Sequence, residues 1–100
     1  MSFPDYRLFV SPQALQDIAA ILRYTGENWG RKRLLIYRDK LDEAMKTIGH
    51  NPNLGHGSPE QPETHRLYFV GSHVVAYRTQ GETISVVRVL HQGMSLARHV

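Results

Sequence analysis

The stretch Gly71–Met94, GSHVVAYRTQGETISVVRVLHQGM, decides how the rest of the chain is read. Its valines and isoleucine mark strand segments, and Gly71-Ser72 and the QGE at 80–82 are tight-turn signals. With the preceding THRLYFV they define three strand candidates in two consecutive hairpins. A two-residue turn at Gly71-Ser72 pairs Val70 with His73, Phe69 with Val74 and Leu67 with Ala76. A turn at Gln80-Gly81 pairs Tyr77 with Ile84 and Val74 with Val87. One face then collects Leu67, Phe69, Val74, Ala76, Val87 and Val89, with Ser85 among them, and is expected to lie under helices. The opposite face collects Arg66, Tyr68, Val70, His73, Val75, Tyr77, Ile84, Val86, Arg88 and Leu90. Its mixture of aromatic, aliphatic and arginine side chains suits a surface built to be covered by a partner.

Upstream of the hairpins, DYRLFV (Asp5 to Val10) alternates as a first strand should. Ser11 and Pro12 then give an N-cap and a first helical residue whose missing N–H costs nothing. Leu15, Ile18, Leu22 and Thr25 keep one face of a helical period. Residues 26–30 are expected to loosen the helix, with Trp29 in the turn. From Arg31 to Ile48, Leu34, Tyr37, Leu41, Ala44, Met45 and Ile48 recur at spacings of three and four, and Gly49 and Pro52 end the helix. Leu35 and Ile36 fall off that stripe. Two amphipathic helices so closely joined should form a hairpin. NPNLGHGSPEQPE, at 51–63, carries three of the five prolines and reads as a loop. The fold class expected is α+β, in the order β-α-α-β-β-β, with the helical hairpin packed on a small antiparallel sheet.

One hundred residues of near-average composition describe a single domain over 1–100. The absence of cysteine excludes disulfides and thiolate metal sites. No segment has the apolar length of a membrane span, and MSFPDYRLFV lacks the pattern of a signal peptide, so a cytoplasmic location is expected. A formal charge of +3 is well short of a dedicated nucleic-acid binder and argues against direct nucleic-acid binding. Nine of the twelve cations are arginine, a residue suited to bidentate recognition of carboxylates on a protein partner as well as of phosphates.

RYTGENWG at the helix turn, NPNLGHGSPE after the second helix, GSHVVAYR and VVRVLHQGM, in that order, resemble the ParE toxins of the RelE/ParE superfamily, the toxic halves of type II toxin–antitoxin modules. The resemblance runs from about Tyr6 to Val100. It implies a ParD-like antitoxin in a hetero-oligomer, DNA gyrase as target, and no cofactor. In the superfamily's other branch the same fold cleaves mRNA on the ribosome, so the site must choose between activities.

Metal-free RNA cleavage needs a base, cations to stabilise the phosphorane and an acid. Glu43, Arg66, Arg78, Arg88 and His91 could supply these, but RelE-like enzymes typically present a denser basic surface and a C-terminal tyrosine, whereas this chain ends HQGMSLARHV. No catalytic residue is therefore assigned. The histidines and glutamates around the proline-rich loop lack metal-ligand spacing, and no metal site is assigned. The antitoxin-binding candidates are Ile21, Tyr24, Trp29, Leu35, Arg66, Tyr77 and Arg88. The target-binding candidates, by analogy with the family, are His91, Met94 and Arg98. A ribosome-dependent mRNA interferase and a non-toxic antitoxin-binding module are the alternatives.

Overall fold

The computed structural model describes residues 6–57 and 65–92. The element order is β1 (Arg7–Val10), α1 (Pro12–Trp29), α2 (Arg31–His50), a 3-10 turn (Pro52–Leu54), β2 (His65–Val70), β3 (His73–Gln80) and β4 (Thr83–His91). The strands form one sheet in the order β1-β4-β3-β2. β2, β3 and β4 are antiparallel neighbours as expected, but β1 pairs with β4 in parallel, so the sheet is mixed.

Ser11 begins α1 as the sequence suggests, its Oγ accepting from the Ala14 N–H at 3.0 Å. The helix does not loosen at residue 26. It continues through Trp29, and Gly30 alone separates it from α2. Gly26 serves packing instead, because a Cβ there would meet Leu34 Cδ1 at 2.8 Å. Leu15, expected on the apolar stripe, is exposed. Ala14 is buried, with Ile18, Ile21 and Leu22 packed against the core. On α2 the expected stripe holds, and Leu41, Ala44, Met45 and Ile48 are buried.

The first hairpin has the expected register, Val70 opposite His73 and Leu67 opposite Ala76. The second does not. Its turn is Gly81-Glu82, which pairs Gln80 with Thr83 and Tyr77 with Val86. The two turns share a requirement, a glycine with positive φ at the first central position. Gly71 has φ 54° and Gly81 has φ 61°. A turn at Gln80-Gly81 would put glutamine there. A bulge follows, with Ala76 opposite Arg88, so that Val87 is the extra residue and the parity of β4 changes beyond it.

The helices cover the face opposite to the one expected. Val70, Val75, Tyr77, Ile84, Val86 and Val89 form the core with α1 and α2. Leu67, Val74, Ala76 and Leu90 make a second buried cluster on the other face, where Phe69 is exposed. Both faces are apolar at period two, so alternation alone cannot say which one the helices take. Polar anchoring decides it. Tyr77, fully buried, donates its hydroxyl to the Pro52 carbonyl at 2.6 Å and accepts from the Gly55 N–H at 2.8 Å, so a face left open would lose a matched pair of bonds under the 3-10 turn. Tyr77→Phe should cost about 1–3 kcal/mol by leaving that buried N–H and C=O unsatisfied, measured by urea denaturation. An unchanged midpoint would show that water replaces the hydroxyl.

Candidate functional site

A concavity of about 850 Å³ opens between the C-terminal half of α1, the N-terminal half of α2, the Gly71-Ser72 turn and the end of β4. Its upper wall carries Ile21, Tyr24, Trp29 and Ile36. Tyr24 is 64% exposed and Trp29 68% exposed. Large aromatic side chains displayed this openly beside an apolar wall are what a protein-binding groove presents.

The lower wall is the seam where α1 meets β4. Beyond Val86, β4 has no β1 residue beside it, and α1 supplies the missing partners. Ser11 Oγ donates to the carbonyl of the bulged Val87 at 2.9 Å. Asp17 Oδ2 accepts from the Val89 N–H at 3.0 Å. The same carboxylate receives both arms of Arg88, Nε to Oδ2 at 2.7 Å and Nη2 to Oδ1 at 3.0 Å. Only 11% of the Asp17 side chain and 16% of the Arg88 side chain is exposed. The hydrogen bonds that Arg88 donates to Asp17 hold its guanidinium in the charged form, pushing its pKa up.

The floor is a row of three rings. Tyr37 and His73 meet edge-on with centroids 5.4 Å apart, and His73 and His91, opposite each other across β3 and β4, meet with centroids 5.5 Å apart. The Tyr37 hydroxyl lies within hydrogen-bonding distance of His73 Nδ1 and 3.1 Å from the Val70 carbonyl. A hydroxyl has one proton and a carbonyl only accepts. All three atoms are satisfied when Tyr37 donates to Val70 and accepts from His73 Nδ1–H, which leaves the lone pair of His73 on Nε2. Burial pushes the Tyr37 phenol up, and burial together with nearby His91 pushes the His73 imidazole below its ordinary value of 6.5. Arg33 and Lys40 also line the groove. Asp17 is the one carboxylate among the described lining residues, and Arg88 matches its charge, so the groove carries an excess of positive charge.

The structure therefore brings Ile21, Tyr24, Trp29, Arg88 and His91 to one concavity. Arg88 lies there as a wall element locked to Asp17. Leu35 is half-buried and does not line the groove, where Ile36 stands instead. Tyr77 cannot meet a partner, being buried beneath the helices, a correction that follows from the choice of sheet face. Arg66 is also withdrawn from the site. It lies half-buried beside Tyr77 and donates to the Gly55 carbonyl at 2.8 Å. Met94 and Arg98 lie outside the described residues. Asp17, Tyr37 and His73 were not among the site candidates, because each sits in a stretch whose local pattern is explained as helix or strand, Tyr37 in the α2 stripe and His73 on a sheet face.

The chain is similar in fold to two solved structures. One is the chromosomal ParDE toxin–antitoxin system from P. aeruginosa, with TM-score 0.75 and 20% identity, covering 86% of this chain and 95% of that one. The other is the toxin–antitoxin complex RelBE2 from Mycobacterium tuberculosis, with TM-score 0.63 and 17% identity, covering 89% and 100%. These place the molecule in the α+β class of the RelE/ParE fold. Residues 5–96 match the family model of the ParE toxin of the type II toxin–antitoxin system, parDE. Toxin ParE1 of Mycobacterium tuberculosis (strain CDC 1551 / Oshkosh) is 36% identical over 95 residues, 94% of this chain and 97% of the relative. Toxin ParE1 of Caulobacter vibrioides (strain ATCC 19089 / CIP 103742 / CB 15) is 33% identical over 95 residues, 95% and 96%. The chain belongs to the ParE toxin family of type II toxin–antitoxin systems.

Asp17→Asn should destabilise the fold by about 3 kcal/mol, because a nearly buried guanidinium loses its counter-charge, and equilibrium unfolding measures this. The histidines add a pH dependence. Burial lowers both His65, with Arg78 contributing, and His73. The folded chain then binds fewer protons than the unfolded one. Stability should be full above pH 6.5 and decline as pH falls from there through the folded-state values. Thermal melts between pH 7.5 and 5 should show this decline, shallower in His73→Gln.

Proposed function

We propose that this chain acts as a single-domain, non-enzymatic toxin in the cytoplasm, that a ParD-like antitoxin neutralises it by docking in the groove, and that its target is DNA gyrase. The groove itself carries the reading. Ile21, Tyr24, Trp29 and Ile36 offer an apolar, aromatic wall, and Arg33 and Lys40 add unmatched positive charge. An amphipathic segment with an apolar stripe and acidic flanks is the complement of such a surface. Support for a partner also comes from the fold relatives, a ParDE toxin–antitoxin system and a RelBE2 toxin–antitoxin complex.

An mRNA interferase would need converging cations and an acid–base pair. Of the candidates Glu43, Arg66, Arg78, Arg88 and His91, only Arg88 and His91 line the groove, Arg88 is clasped by Asp17, and Arg66 is held at Gly55. This weighs toward the non-enzymatic reading. His91, with Met94 and Arg98, is the proposed gyrase contact. Since His91 lines the groove, an occupant there would cover part of the target surface.

Expression of the chain alone should arrest growth, and co-expression of the adjoining antitoxin frame should relieve it. Purified toxin should inhibit gyrase supercoiling and leave mRNA intact in a translating extract. Normal supercoiling with A-site cleavage of mRNA would reverse the assignment. Trp29→Ala and Tyr24→Ala should each weaken antitoxin binding by about 2 kcal/mol, as truncation of an exposed aromatic anchor does. Unchanged affinity in both would remove the groove from the antitoxin interface.

A further inference from the structure

The ring row on the groove floor does something that an apolar wall does not require. A helix docking by hydrophobic contact alone would be served by aliphatic residues at positions 73 and 91. Instead two imidazoles stand directly opposite each other at the ends of β3 and β4, both lining the groove. Tyr37 engages Nδ1 of one of them, and with Tyr37 donating to the Val70 carbonyl and accepting from Nδ1–H, Nε2 is the atom that can gain a proton.

We propose that His73 and His91 form a carboxylate-binding subsite, in which a Glu or Asp side chain of the docking antitoxin segment sits against the two imidazoles and binding takes up a proton from solvent. This deepens the docking reading above and rests on it.

The charges around the pair favour that occupant. From α2, Arg33, Tyr37 and Lys40 face the groove, and from α1, Asp17 and Tyr24 do so. β4 contributes Arg88 and His91. Asp17 and Arg88 neutralise one another, so among the described residues the surroundings of the histidines are cationic. In the free chain, burial and then nearby His91 disfavour protonation of His73. A partner carboxylate supplies the opposite charge, turns a neutral contact into a charge-assisted hydrogen bond and favours the protonated imidazole. An incoming apolar side chain would do the reverse and bury a ring that must stay neutral. Imidazole is the side chain whose ordinary titration range lies between pH 5 and 8, so the coupling falls at near-neutral pH.

The sign follows from linkage. The bound state holds more protons than the free state, so affinity rises as pH falls. One proton taken up gives at most about a tenfold change in Kd per pH unit. Isothermal titration of the full chain with the co-expressed antitoxin, at pH 8, 7 and 6 and in buffers of different ionisation enthalpy, measures both quantities. The expected result is tighter binding toward pH 6, with proton uptake approaching one per complex and the slope lost in a His73→Gln/His91→Gln double variant. NMR titration of the histidine Cε1–H resonances should show at least one of the two imidazoles titrating at higher pH in the complex than in the free toxin. That readout does not depend on whether the variant folds. Binding that is flat or weaker on acidification, or a slope that survives in the folded double variant, overturns the subsite and leaves the docking groove standing. No binding at any pH overturns the docking reading and the subsite together.

Discussion

The seam between α1 and the far half of β4 is the contact on which the rest of the structure depends. A four-residue β1 can pair only with Thr83–Val86, and the sheet edge beyond it would otherwise show unpaired backbone beside the helices. Ser11 and Asp17 close that edge. The first caps α1 while bonding the Val87 carbonyl, and the second accepts from the Val89 N–H while neutralising Arg88. The bulge at Val87 is thereby held on both sides. Because the bulge changes the parity of β4, it also decides that Val89 enters the helix-packed core and Leu90 the second cluster.

From that seam the groove follows. Fixing α1 along β4 sets how far the hairpin stands from the strand ends, and the space left is walled by Tyr24 and Trp29 above and floored by Tyr37, His73 and His91. A Gly26 without a side chain lets Leu34 approach α1 closely, which holds the two helices as one unit above that floor. The site is thus made by elements that are far apart in sequence. Asp17 and Val89, whose contact defines one wall, are 72 residues apart.

Much of the architecture was legible beforehand. The cap at Ser11-Pro12, the apolar stripe of α2 and the Gly71-Ser72 turn each rest on local chemistry within a few residues, and each stands as read. Ile21 and Tyr24 were legible as surface candidates from their place on α1, and Trp29 from its place at the joint between the helices. The errors share a cause. Tyr77 and Arg66 were assigned to an open surface because period-two alternation separates two faces without saying which one is covered. The Gln80-Gly81 turn was off by one residue because QGE contains one glycine and two possible frames, and only the frame with glycine first meets the φ requirement.

By itself the sequence determined the number and order of the α-helices and strands, since periodicity, capping and turn residues act over short range, and its ordered motifs pointed to the toxin family. Tertiary structure alone decided which sheet face the helices cover, that β1 joins β4 in parallel, and that Arg88 meets Asp17 rather than a ligand. The reason is physical. Local signals specify backbone conformation within a few residues, whereas the burial of Tyr77, the closure of β4's edge and the meeting of His73 with Tyr37 depend on where distant segments come to rest.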